Sequence, residues 1–303
     1  MHARAFGKND EKRFFRGKCQ KPLVFFLKCF IIYIECSLLY LNPTKKEVTA
    51  MKLDLQKAGM WRRISAWLFD FILLGILAAG FIFLFSAIFG YDTYLARLED
   101  AYARYEEEYN VNLDITAEDF NNLSDEERAR YEAADAAFAI DEEVNYVYSM
   151  LLNLSLLMLT FGILFAYLIL EFAVPMFFKN GQTIGKKCFG IAVMRSDCIR
   201  CTPPLLFIRS ILGKYTIETM IPVFIILMIF FGVIGIVGTL VLILILVLQI
   251  GIMIATATNS AIHDCLASTV VVDMATQMIF DTEAELLEYK KALHEKEAEA
   301  KPY

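Results

Sequence analysis

Between Thr219 and Ile262 the chain carries no charged residue. A straight helix over those 44 residues would be about 66 Å long, roughly twice the ~30 Å hydrocarbon core of a bilayer. The run must double back. GVIGIVG lies near its centre, and Gly232, Gly235 and Gly238 are the natural break, because glycine lowers helix propensity by about 1 kcal/mol. Residues 219–262 are therefore expected to form two shorter spans or a re-entrant pair. A single tilted helix would leave too many apolar residues outside the core.

Two further stretches have the same character. Trp61 to Phe89 is apolar over a membrane's width, and Val147 to Phe178 is rich in leucine, although it contains Asn153, Ser155, Thr160 and Glu171. With 57% hydrophobic residues and 25 phenylalanines among 303, the composition is too apolar for a soluble domain. The expected fold class is all-α, a polytopic helical membrane protein with about four transmembrane segments and an acidic helical insertion.

Charge layout sets the topology. From Asp92 to Glu143 there are 17 acidic residues against four arginines, a net of −13. SDEE at Ser124 to Glu127 is a capping box, and Tyr102, Tyr105 and Tyr109 recur at helical spacing, so residues 91–145 read as a small helical hairpin. Residues 179–218 hold seven basic residues from Lys179 to Lys214. Short basic loops stay cytoplasmic. The chain is therefore expected in the plasma membrane with both termini in the cytoplasm and the acidic insertion outside. DTEAELLEYKKALHEKEAEAK, at the end of residues 263–303, reads as a charged surface helix capped by Thr282 and Glu285. Seven scattered cysteines, none in the acidic insertion, suggest reduced thiols rather than a disulfide framework.

Residues 1–50 stand apart. Lys28 and Glu35 interrupt their hydrophobic stretch, which also lacks a small-residue cleavage site. KKEVTA precedes Met51, and a purine-rich coding stretch there would resemble a ribosome-binding site. Translation from Met51 is the expectation, and an additional N-terminal membrane segment is the alternative.

Asp70 poses the chemical question, because an ionised carboxylate inside a span costs roughly 2.5 kcal/mol or more. Arg63, Ala66 and Asp70 share one helix face. Arg63 and Asp70 lie roughly 10 Å apart along the axis, so Arg63 is expected to reach the headgroups and Asp70 to need another partner or a proton. The candidates are Arg209 in PPLLFIRSILGK, the second buried acid Glu171, and His263 with Asp264 in NSAIHDCLASTVVV. A cation or proton site is one reading. A salt bridge from Asp70 to Arg209 that only fixes packing is the other.

GQTIGKK fails as a phosphate loop. Three residues separate Gly181 from the Gly185-Lys186 pair where four are needed, and Lys187 stands where Ser or Thr belongs. A lipid-phosphate contact through backbone N–H groups and Lys186 is a milder reading, and a tight turn with basic topology determinants a better one. The single CxxC, Cys198 and Cys201, lacks the second pair of a zinc site. His263-Asp264 has no accompanying nucleophile motif. No enzyme, cofactor, metal or nucleic-acid partner is expected. The expected partners are membrane lipids, a second copy of the chain in a homodimer, and a protein bound by the acidic insertion.

RRISAWLFD, Glu171, GQTIGKKCFGIAVMRSD, the arginine of FIRS and HDCLASTVVV together resemble the RDD family of bacterial membrane proteins, over about Gly59 to Asp273. By motif, the family's arginine and two aspartates fall on Arg63, Asp70 and Asp264. The chain departs from the family where Cys198 replaces a turn glycine and where Ala267, Ser268, Thr269 replaces Ala-Gly-Thr; the acidic insertion is extra. The resemblance implies a membrane protein for which transport has been proposed. The residues suggest the same, with a proton or monovalent cation as transported or coupled species. Asp70 would be the reversible carboxylate, Glu171 a second acid, Arg63 and Arg209 would tune protonation, and His263 with Asp264 would gate the cytoplasmic entry. A scaffold that recruits partners through its acidic hairpin and charged tail is the alternative.

Overall fold

The computed structural model describes residues 55–178 and 180–300. The readings made for residues 1–50 lie outside them. Among the described residues, four helices are long and apolar enough to cross a membrane. They are α1 (Met60–Phe89), α5 (Glu142–Phe177), α7 (Pro203–Phe230) and α8 (Gly235–Ala255).

α1 ends at Gly90, whose left-handed backbone (φ 66°) turns the chain into α2 (Tyr91–Tyr109). The short α3 (Ala117–Asn122) and then α4 (Asp125–Ile140) complete the expected hairpin, with the Ser124–Glu127 capping box in place. Asp141 anchors this insertion to the bundle. Its Oδ1 accepts from the Glu143 and Val144 N–H groups to start α5, while Tyr105 donates to its Oδ2 at 2.9 Å. α5 then runs back along α1, and Phe81, Phe85, Phe161 and Phe165 interlock between them.

Both α5 and α7 contain a widened, π-type stretch, at Leu168–Ala173 and Ile208–Met220. A proline follows each, Pro175 and Pro222, and proline has no N–H for the carbonyl four residues back. In both helices that carbonyl belongs to a glutamate, Glu171 in EFAVP and Glu218 in ETMIP. At the first, Ser210 Oγ donates to the freed Glu171 carbonyl at 2.6 Å and joins α7 to α5.

The third long helix starts at Pro203 rather than near Thr219, so residues 203–218, read from sequence as part of a basic loop, are its first half. Counting charge hid this, because Arg209, Lys214 and Glu218 are each neutralised by partners distant in sequence. The expected break does fall at the glycines. α7 ends at Phe230, Gly232 adopts φ 70°, and α8 begins at Gly235.

A two-stranded antiparallel sheet, unanticipated from the sequence, closes one end of the bundle. β1 (Ile191–Arg195) pairs with β2 (Thr269–Asp273), Ile191 opposite Asp273 and Arg195 opposite Thr269. Strand alternation splits their side chains. Ala192, Met194, Val270 and Val272 pack with Ile199, just after β1, and with Phe280 and Leu286 of the C-terminal segment, which includes α10 (Glu283–Ala300). Ile191, Val193 and Val271 pack on Ala66 of α1 and Leu206 of α7. Two one-turn helices complete this end, α6 (Ile184–Cys188) and α9 (Ile262–Leu266).

Candidate functional site

The expected site residues converge where the sheet meets the bundle, but in pairings the sequence did not indicate. Asp70, on α1, is held by the GQTIGKK segment. Thr183 Oγ1 donates to Asp70 Oδ2, and the Gly185 N–H donates to Oδ1 at 2.8 Å. Thr183 also starts α6, its Oγ1 accepting the Lys186 N–H at 3.3 Å. Only glycine allows this approach at position 185, where a Cβ would lie 2.4 Å from the Ala66 carbonyl oxygen. GQTIGKK is thus a capped turn clamped to α1.

Arg209 pairs with Asp264 rather than Asp70. Its Nε and terminal nitrogen both donate to Asp264 Oδ1, at 2.9 and 2.8 Å, and Thr269 Oγ1 donates to the same oxygen at 2.9 Å. Arg63 turns inward instead of reaching for headgroups, because two acceptors await it. It donates to the Thr258 carbonyl at 3.3 Å and lies 3.7 Å from Asp264 Oδ2. Its neighbour Arg62 points away and bonds Asp273 at 2.8 Å.

Glu171 bonds Lys214 at 2.6 Å, with the Lys186 ammonium 4.0 Å from its other oxygen. It and Asp70 therefore have separate hydrogen-bond donors. Lys186, Lys214 and Glu218 were not singled out as members of this cluster. Glu218 meets His263, whose Nδ1 lies 2.9 and 2.8 Å from the two carboxylate oxygens and whose backbone N–H donates at 3.1 Å. Gln249 of α8 donates to the same carboxylate at 3.2 Å, and His263 Nε2 faces Asp264 Oδ2 at 3.5 Å. The recurring Glu-x-x-x-Pro was the available signal for Glu218. Gly213 makes room for α9, since a Cβ there would sit 2.5 Å from that of His263.

Arg63, Asp70, Lys186, Arg209, Lys214, His263 and Asp264 line one cavity of about 180 Å³. Met60, Ile64, Trp67, Met253 and Val271 supply its apolar wall. Burial works against both charges there that lie outside the spans. It pushes the Lys186 ammonium, with nearby Lys214 adding to the effect, down to about 7. For Asp264 burial is outweighed by Arg209, then His263 and Arg63, which hold its carboxyl well below the usual range. Lys186 Nζ and Asp264 Oδ2 are buried without a hydrogen-bond partner. Cys198 and Cys201 lie in cores on opposite faces of the sheet, and burial raises the Cys201 thiol to about 11.

A bundle of membrane-length helices with a buried ion-pair cluster at one end defines a multi-pass membrane protein. A family model described as RDD family matches residues 57–268, well over half of the chain, and the chain belongs to that family. The matched region contains Arg63, Asp70 and Asp264. No curated protein and no solved structure matches.

Proposed function

We propose that this RDD protein is a transporter of small ions or solutes, not an enzyme, and that its cavity is the binding site. One observation carries the reading: a cavity at the end of a membrane bundle walled by seven ionisable side chains. Buried ionisable groups are expensive in a membrane and are functional by default. The cavity opens alternately to the two sides of the membrane, and proton movement through the Glu218–His263 pair couples to solute movement. His263 suits this role because its two nitrogens face two carboxylates. Asp70, fully engaged by Thr183 and Gly185, fastens α6 rather than carrying the proton. The basic loop supports a topology with the sheet side and both termini in the cytoplasm, the protein in the plasma membrane and the acidic insertion outside.

The test is proton flux into vesicles reconstituted with purified protein under an imposed pH gradient. Wild type collapses the gradient faster than empty vesicles, and equally stable Glu218→Gln does not. Equal rates in all three would overturn the reading. They would favour the alternative of a membrane scaffold, for which the fully bonded Asp70 is the supporting observation.

A further inference from the structure

Two buried atoms in the cavity wall lack a hydrogen bond, and they have opposite charge. Lys186 is 7% exposed and Asp264 1%, so both are sealed from bulk water. The Lys186 ammonium has Glu171 no nearer than 4.0 Å, and Asp264 Oδ2 has His263 at 3.5 Å and Arg63 at 3.7 Å. These separations are beyond hydrogen bonding, and an unmet buried polar group costs about 1–3 kcal/mol, more when charged.

The wall's charge narrows what could meet both needs. A small anion would satisfy Lys186 but sit with the Asp70 and Asp264 carboxylates. A small cation would satisfy Asp264 but face Arg63, Lys186, Arg209 and Lys214. A molecule with one carboxylate and one ammonium satisfies both atoms and adds no net charge to a wall already carrying both signs. About 180 Å³ resembles cavities that hold a benzene-sized ligand of about six heavy atoms. Between the polar atoms, Ile64, Met253 and Val271 offer contact for an aliphatic carbon.

We propose that the cavity binds a small aliphatic α-amino acid as its zwitterion, the carboxylate on Lys186 and the ammonium on Asp264 Oδ2. The proposal rests on the transport reading only in making this ligand the transported solute. Arg209, then His263 and Arg63, keep that carboxylate ionised to receive the ammonium.

Calorimetric titration of the purified full chain in lipid nanodiscs with L-alanine, propionate and ethylamine tests this. L-alanine is expected to bind at one site per chain. Propionate and ethylamine should each bind at least ~10-fold more weakly, the value of one charged hydrogen bond. Lys186→Met should lose L-alanine binding, with Lys187→Met as a surface control that keeps it. Propionate binding as tightly as L-alanine would make this an anion site and overturn the proposal. Binding of none of the three, or undiminished L-alanine binding by folded Lys186→Met, would overturn it as well. Binding without flux would sink the transport reading and leave the site standing, whereas proton flux without binding would do the reverse.

Discussion

Replacing Gly185 with alanine probes the clamp between α1 and α6. The new Cβ would lie 2.4 Å from the Ala66 carbonyl oxygen and 2.9 Å from the Asp70 carboxylate. A carbon needs about 3.3 Å from an oxygen, so α6 must retreat by about 1 Å. The blocking atom is helix backbone and cannot rotate aside. The same shift stretches the 2.8 Å bond from the Gly185 N–H to Asp70 to about 3.7 Å, past hydrogen bonding, and takes Thr183 with it. Two hydrogen bonds to a charged group at about 1.5–3 kcal/mol each give a loss of roughly 3–6 kcal/mol. At 2–4 °C per kcal/mol that lowers the thermal midpoint by about 6–24 °C. Gly75→Ala, on α1 with no atom within 4 Å of the added carbon, is the control and should unfold at or slightly above the wild-type temperature. Thermal denaturation in detergent reads both. A Gly185→Ala protein melting with wild type would refute the clamp and the packing role given to Asp70.

Three further outcomes are expected. Glu171→Gln leaves Lys214 without its carboxylate and should destabilise by about 3–5 kcal/mol in chemical or thermal unfolding, with most of the loss recovered on adding Lys214→Met. Lys186 holds fewer protons folded than unfolded between its depressed value of about 7 and its ordinary 10.5. Stability should therefore rise with pH through that window, by up to about 1.4 kcal/mol per unit, and Lys186→Met should flatten the slope of midpoint against pH. Ser268 is exposed at φ 51°, a left-handed conformation that favours glycine. Ser268→Gly should stabilise by up to about 1 kcal/mol, whereas Cys198→Gly at φ 69° should gain less, because the Cys198 side chain is buried in the core beneath the sheet.

The spans, the glycine break and the acidic hairpin were legible because each is a local property of the chain: apolar length, a cluster of weak helix formers, a capping box. The start of α7 was not. Arg209, Lys214 and Glu218 look like loop charges until Asp264, Glu171 and His263 are brought to them, and nothing local announces those pairings. The sheet was missed for a related reason. IAVMR and TVVVD are each only five residues long, and pairing them requires knowing that the α7–α8 hairpin brings the two together. Among the site residues, Arg63, Asp70, Glu171, Arg209, His263 and Asp264 were all read as candidates, and all belong to the cluster. Their partners were not legible: the hydrogen bonds to Asp70 come from a threonine hydroxyl and a glycine N–H rather than from a charged side chain. Lys186 was read as a topology determinant in a tight turn, with a headgroup contact as the milder alternative, since position in a basic loop does not reveal that the side chain turns inward.

A cavity on a transport pathway must be reachable from both sides of the membrane. Met253, on its apolar wall, can be replaced by cysteine in a background without the native cysteines and treated with membrane-impermeant thiol reagents from each face of sealed vesicles. Labelling from both faces, slowed by a bound solute, is expected. Labelling from the sheet side alone, under every gradient imposed, would show a fixed vestibule and contradict the transport reading.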